Sequence, residues 1–138
     1  MPNPARGAAI LTIAAVMASQ IAMPATSGEP APAQQQSVAA GERAFQKCYA
    51  CHSVDGTGAD TDGPSLKGVF GRKVAGLPGY RYSPALRAYA GRQARWTRDA
   101  LDQFLADPQA VVPENFMGFY GIQNGEERAA LIAYLAAH

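Results

Sequence analysis

Apolar residues recur at helical spacing in three stretches of the chain, and no stretch alternates convincingly as a β-strand would. The first stretch follows Ser37, a favourable N-cap residue, and places Val38, Gly41 and Phe45 on one face. This pattern predicts a helix over residues 38–49.

The other two stretches carry their own start and stop signals. Thr97 caps a segment with an apolar stripe that ends near Pro108, and Asn124 precedes Glu127 in the form of a capping box before the last stripe. A short helix is expected over 84–90, with Pro84 in its first turn. The predicted fold class is therefore all-α, with about four helices.

Long loops separate these helices. Residues 53–79 are dense in Gly, Asp and Pro, and a second loop covers 109–123. Loops of this length in a compact domain need something to wrap around, and a domain of about 100 residues is marginally stable alone. A large apolar cofactor would give the loops a surface to pack on and would enlarge the buried core of the domain.

The N-terminal segment has a different character. Residues 1–27 hold one basic residue, an apolar run and then small residues, which is typical of a cleaved signal peptide, although the cut site is open and an uncleaved anchor is the alternative. Residues 28–36 are predicted to form a flexible tether and 37–138 the folded domain. An exported, periplasmic protein is expected, and it would contact a membrane only if the segment were retained.

The net charge of the chain does not indicate any particular class of partner. The chain has a formal net charge of +1, and from Ser37 onward eleven Lys and Arg face ten acids, so nucleic acid is not an expected ligand.

The stretch KCYACHS contains both cysteines of the chain, Cys48 and Cys51, followed directly by His52. A disulfide would close a tiny loop inside a helix, and a dithiol redox site normally lies in a strand and helix framework. A zinc site would need four ligands, and beyond these residues the chain offers only His138. C-x-x-C-H instead is typical of covalent attachment of one haem c, with His52 facing the iron, so haem c and iron are the predicted cofactors. A chance match is the alternative.

The opposite face of the iron has few candidates for a ligand. Met117 is the only methionine outside the N-terminal segment, and His138 ends the chain. Met117 is the predicted second ligand, against the alternative of ordinary core packing.

The sequence resembles class I cytochromes c, most closely the mitochondrial cytochrome c and bacterial cytochrome c2 group. The likeness covers nearly all of residues 41–136 and includes GERAFQKC, GPSLKGVFGRK, PGYRYS, the lone tryptophan, VPENFMGFYGI and EERAALIAYL in the family's order. It implies a class I cytochrome c fold, in which long loops wrap around the covalent haem.

The resemblance also implies roles for single residues. The Pro64 carbonyl is expected to accept a hydrogen bond from His52, and Arg72, Tyr82 and Trp96 to neutralise or hydrogen-bond the haem propionates. An ordinary turn at Pro64, core packing of Trp96 and a surface position of Arg72 are the alternatives. The residues matching the crossing of the first and last helices are Gly41, Phe45, Leu131 and Tyr134.

The sequence departs from the mitochondrial pattern near the methionine and at the docking face. Phe104 stands where mitochondrial members carry a tyrosine, so one hydrogen bond near the sulfur is missing. Lys47 and Lys73 survive from a ring of docking lysines. Other positions of that ring are uncharged: Gln109, Ala110, Phe116, Gln123 and Asn124. Weak electrostatic steering is expected, with Phe116, Phe119 and Tyr120 as a more apolar contact patch or as packing on the porphyrin.

These observations predict a monomeric one-electron carrier, not an enzyme. The expected partners are redox proteins: a membrane oxidase or reductase complex, or a periplasmic dehydrogenase. The alternatives are a haem peroxidase or small-gas binder with a labile sixth ligand, and a cytochrome subunit docked permanently on a dehydrogenase or oxidase.

Overall fold

The computed structural model describes residues 32–56 and 62–138, which form five helices. They are α1 (Pro32–Phe45), α2 (Pro84–Tyr89), α3 (Arg98–Ala106), α4 (Pro108–Val111) and α5 (Gly125–Ala136). Within the described ranges there is no strand, and the only β-type pairing is an isolated bridge between Lys73 and Arg95. The all-α prediction is confirmed.

Helix α1 is placed differently from the prediction over 38–49. It begins at Pro32, inside the segment predicted as a tether, because Ala and Gln favour helix and proline is accepted in the first turn. It ends at Phe45, where hydrogen bonds to the third residue back replace the α-helical ones, as from Cys48 N to the Phe45 carbonyl at 2.8 Å. The predicted signal peptide and the first residues of the tether lie outside the described part of the chain.

The predicted caps of α3 and α5 are confirmed. Thr97 Oγ1 accepts a hydrogen bond from Ala100 N at 3.2 Å, and Asn124 Oδ1 accepts one from Glu127 N at 2.9 Å. Helix α4 was not predicted because it is a single turn, which Asp107 caps through Gln109 N and Ala110 N.

The core is built where α1 crosses α5. Phe45 and Leu131 are fully buried, and the rings of Phe45 and Tyr134 lie 5.4 Å apart. A Cβ at Gly41 would lie 2.5 Å from the Ala130 carbonyl oxygen, so the two backbones approach as closely as glycine allows. The expected contact of the first and last helices is confirmed. No helix in 32–56 or 62–138 is long and apolar enough to span a bilayer.

Candidate functional site

A cavity of about 490 Å³ lies between the end of α1, the loop over 62–83, α3 and the loop before α5. Its volume falls in the usual range of small-molecule sites, roughly 300–1,000 Å³. All eight predicted cofactor-binding residues line it: Cys48, Cys51, His52, Pro64, Arg72, Tyr82, Trp96 and Met117. The structure thus brings together residues from distant parts of the sequence.

Much of the remaining wall is apolar. Leu101, Phe104 and Leu105 from α3 and Leu131 and Leu135 from α5 line the cavity. Phe104 is buried and its ring centroid lies 5.0 Å from that of Trp96. A flat apolar cofactor matches such a wall better than a polar ligand would, because burying apolar surface is favourable.

His52 is fixed by one backbone hydrogen bond. Its Nδ1 lies 2.8 Å from the Pro64 carbonyl oxygen, and because a carbonyl can only accept, Nδ1 carries the proton. Burial lowers the pKa of His52, and the bond to Pro64 opposes this in part. The imidazole is therefore held neutral with the lone pair on Nε2, which is the form that binds a metal ion.

Gly63 is a residue of this site that the sequence analysis missed. A Cβ at this position would lie 2.4 Å from His52 Cε1 and 2.6 Å from the Cys51 carbonyl oxygen. Its amide also donates to that carbonyl at 2.7 Å. The backbone of Gly63 therefore packs directly on the imidazole ring, and only glycine fits.

No disulfide joins the two cysteines; Cys48 is buried and Cys51 is exposed. Burial raises the pKa of the Cys48 thiol to about 11, while nearby Lys47 lowers it and Cys51 raises it to a smaller extent. Dithiol redox motifs depend on a thiol with a lowered pKa. The environment of Cys48 therefore argues against the thiol redox alternative.

Arg72 has a buried donor without a partner. Its two terminal nitrogens donate to the Ser65 carbonyl at 2.9 Å and the Lys67 carbonyl at 3.1 Å. Its Nε is buried and makes no hydrogen bond. A buried cationic donor of this kind needs an acceptor, and a cofactor carboxylate in the cavity would supply one. The residues present therefore fit a haem, which carries two propionates.

Tyr82 and Trp96 line the cavity together with Arg72. The Tyr82 hydroxyl oxygen accepts a hydrogen bond from Leu77 N at 3.2 Å, which leaves its own proton to be donated elsewhere. Trp96 is buried, with the Tyr89 ring at 6.3 Å and the Phe104 ring on its other flank. Tyr80, which the sequence analysis did not single out, also lines the cavity and donates from its hydroxyl to the Asp62 carbonyl at 2.8 Å.

Met117 is held in place by Asn115, a second residue that the sequence analysis missed. The Asn115 Oδ1 accepts from Met117 N at 2.8 Å, and its Nδ2 donates to the carbonyls of Pro108 at 2.9 Å and Val112 at 2.8 Å. An asparagine that binds the amide two residues on is a known turn signal, so the sequence contained a usable hint. Next to it Glu114 has φ of 63°, a left-handed conformation that costs free energy and that this hydrogen-bonded loop maintains.

His138, the other candidate ligand, lies outside the cavity lining. Its ring packs 4.2 Å from that of Tyr134, and its Nδ1 lies 2.8 Å from the Tyr134 carbonyl oxygen. Of the two candidates, Met117 is the one that faces the space beside His52.

Lys47, which the sequence analysis placed among the surviving docking lysines, has an acidic partner. Its exposed ammonium group pairs with the Glu127 carboxylate, which offsets part of its charge. Glu127 is the capping-box residue of α5, and its side chain contacts Lys47, in the turn that follows α1. Lys73 is exposed, and no carboxylate pairs with it in the described residues.

Comparison with known proteins gives a consistent result. The family model for cytochrome c matches residues 38–138. A cytochrome c2 from Agrobacterium tumefaciens is 42% identical over 98 residues, covering 71% of this chain and 88% of that protein. Cytochrome c2 iso-2 from Magnetospirillum fulvum is 45% identical over 92 residues, covering 67% and 92% of the two chains. The structure of cytochrome cH from Methylobacterium extorquens superimposes with a TM-score of 0.65 at 41% identity, covering 73% of this chain and 98% of that one.

Proposed function

Because the chain belongs to the cytochrome c family, we propose that it shuttles single electrons between redox proteins of the bacterial periplasm, with His52 and Met117 as axial ligands of its haem iron. Membership of the family by itself establishes the type of protein and its cofactor. The chain is a c-type cytochrome with haem c attached through Cys48 and Cys51, and it is an electron-transfer protein rather than an enzyme.

One observation carries the ligand assignment. His52 and Met117 line the same cavity, whereas His138 packs on the outside of α5. A hydrogen bond also holds each proposed ligand: His52 Nδ1 donates to the Pro64 carbonyl, and the Met117 backbone amide donates to the Asn115 side chain. Haem supplies an iron that alternates between ferric and ferrous states. Residues that hold both ligands in one geometry limit the rearrangement that accompanies each electron.

The surrounding residues are suited to tuning the reduction potential. The apolar wall and a thioether ligand disfavour the extra positive charge of ferric iron and so raise the potential. Arg72 and Tyr82 would hold the propionates, Arg72 through its unpartnered Nε and Tyr82 through its hydroxyl proton. Trp96 is proposed to stand beside them.

Replacing the proposed sulfur ligand tests this assignment. In Met117→Ala, we expect the weak far-red band of ferric Met-ligated haem to disappear, and the potential to fall by on the order of 0.1 V, within the roughly 0.8 V range that axial ligands control. Absorbance spectra and a redox titration measure both. His138→Ala is the matched control and should change neither; an unchanged spectrum and potential in Met117→Ala would show that another group binds the iron.

Location and mode of action are tested separately. Residues 1–27 are proposed to direct export, so haem-bound protein should be released with the periplasmic fraction, and retention in washed membranes would indicate an anchor instead. A monomeric elution volume in size-exclusion chromatography of the native extract supports a free shuttle, whereas co-elution with a dehydrogenase or oxidase supports a docked subunit. Rapid carbon monoxide binding by the untreated protein would favour a gas binder or peroxidase.

A further inference from the structure

Two large apolar side chains are exposed in the loop that holds Met117. Phe116 is 66% exposed and Tyr120 is 95% exposed. Phe116 also lines the cavity, so its ring lies at the cavity mouth, and Tyr120 follows four residues later in the same loop. We call this pair the aromatic patch. Large apolar side chains exposed together in one loop are typical of an interaction site.

The loop behind the aromatic patch is rigid. Besides the three hydrogen bonds of Asn115, Gln109 Nε2 donates to the carbonyls of Asn115 at 3.3 Å and Met117 at 3.2 Å. The exposed ring of Phe116 therefore sits on a fixed backbone and does not pack into the core. A pre-organised anchor binds at lower entropic cost than one on a mobile loop, which favours a docking role over incidental exposure.

The surroundings of the aromatic patch carry little free charge. Gln109, Ala110, Gln123 and Asn124 are exposed and uncharged, and Lys47 is paired with Glu127. The other charged residues that line the cavity are Asp62, Arg72 and Arg81, on the wall formed by 62–83. The loop itself contains one acid, Glu114. Among the described residues that line the cavity, the charges other than that of Lys47 therefore lie on the 62–83 wall, and no ring of like charges surrounds Phe116.

From this arrangement we propose that the aromatic patch is the docking surface for a redox protein whose own contact surface is apolar and uncharged. The inference rests on the proposed function and names the chemistry of its partner. Two aromatic side chains bury about 300–500 Å² between them, which suits the small interfaces of transient electron-transfer encounters, below about 1,200 Å² in total. Association is then weakly dependent on salt, because screening acts on exposed charges and not on apolar contact.

The experiment uses the exported haem-bound protein and gold electrodes coated with alkanethiols of equal length that end in methyl, carboxylate or amine groups. Voltammetry gives the affinity for each surface and the electron-transfer rate. The wild type should bind and exchange electrons best at the methyl surface. Affinity there should hold from about 0.01 M to about 1 M salt, over which the Debye length falls from about 30 Å to about 3 Å.

Single substitutions assign the effect to the aromatic patch. Tyr120→Ser and Phe116→Ser should each weaken binding to the methyl surface about tenfold, as loss of an aromatic anchor does. Phe70→Ser, which removes a ring that is 39% exposed elsewhere on the molecule, is the matched control and should leave binding unchanged. Phe116→Lys should move the preference towards the carboxylate surface and make it salt-dependent.

A wild-type preference for carboxylate or amine surfaces that is lost at high salt would overturn the proposal, as would Ser variants that bind the methyl surface like the wild type. A redox titration of every variant with soluble mediators separates this from the proposed function. A reversible couple in solution combined with the wrong surface preference refutes only the docking inference. If no reversible couple exists in solution, the carrier function fails and the docking inference fails with it.

Discussion

Neutral hydrogen bonds, rather than ion pairs, position the two proposed ligands. The Pro64 backbone carbonyl orients the His52 ring, and the side-chain amide of Asn115 fixes the backbone of Met117. Asn115 is itself held by the carbonyls of Pro108 and Val112, so its short side chain is fixed as well. The residues that shape this site are consequently small or conformationally special, as Gly63 and Glu114 illustrate.

The contact between Gly63 and His52 can be tested by adding a single methyl group at position 63. In Gly63→Ala, the new methyl group would collide with both the imidazole and the rigid Cys51 carbonyl, so the loop must shift and the His52 bond to Pro64 must stretch. We expect a loss of about 1–3 kcal/mol in unfolding free energy, as for other overpacked sites, together with a changed reduction potential. Thermal unfolding and redox titration of the haem-bound protein measure these.

Gly125→Ala is the control for stability, because Gly125 lies outside the cavity lining and its added methyl group would meet only a flexible Arg128 nitrogen, at 3.6 Å. It should unfold within about 0.5 kcal/mol of the wild type, as most exposed substitutions do. Equal stability of Gly63→Ala and Gly125→Ala would show that the loop over 62–64 shifts without cost and that Gly63 does not position His52.

At the scale of residues, the sequence predicted which residues form the site better than it predicted which groups they contact. The eight predicted cofactor-binding residues do line one cavity. The C-x-x-C-H motif and the single methionine of the domain identified four of them, and the resemblance to class I cytochromes c identified the other four. Gly63 and Asn115 were missed because their importance depends on distances to groups that the loops bring close. The ion pair of Lys47 was missed for the same reason, since its partner Glu127 is 80 residues away in sequence.

At the scale of elements, a side-chain cap made a helix predictable only where an apolar stripe follows it. Thr97 and Asn124 start α3 and α5 where expected. Helix α4 is also capped, by Asp107, but its single turn is too short to show any periodicity. The first turn of α1 has no acidic residue, and the position of that helix is also set by its packing on α5.

The crossing of α1 and α5 allows a test in which propensity and packing oppose each other. Alanine favours helix over glycine by about 1 kcal/mol, so Gly41→Ala would stabilise an isolated α1. In the fold, the added methyl group would lie 2.5 Å from both the Ala130 carbonyl oxygen and Tyr134 Cβ. We expect the collision to dominate and the unfolding free energy to fall by about 1–3 kcal/mol in chemical denaturation.

Gly125→Ala is the matched helical control. Its nearest neighbour would be a flexible Arg128 nitrogen at 3.6 Å, so propensity alone should act and stability should be unchanged or slightly higher. If Gly41→Ala were as stable as Gly125→Ala, the two helices could separate freely and the close crossing would not contribute to the core.

At the scale of the whole molecule, the loops and the cofactor depend on each other. The loop over 62–83 and the loop before α5 form two walls of the cavity, and both run largely without regular secondary structure. Few backbone hydrogen bonds tie them to the helices, although Gly71 N to the Trp96 carbonyl at 2.8 Å and Ile122 N to the Leu105 carbonyl at 2.8 Å are two that do. We therefore expect contacts with the cofactor to provide most of what holds these two loops in place.

This dependence predicts that the chain cannot fold when haem attachment is prevented. A dry cavity costs about 24 cal/mol per Å³, so a space of about 490 Å³ would cost on the order of 10 kcal/mol, comparable to the whole stability of a typical domain. The double variant Cys48→Ser with Cys51→Ser, purified free of haem, should show weak helical circular dichroism and no cooperative melting. Cys51→Ser alone is the control, because a single thioether to Cys48 can still retain the haem and the fold. A haem-free double variant that is helical and melts cooperatively would mean that the loops pack into a core of their own. The fold would then not depend on the cofactor for its stability.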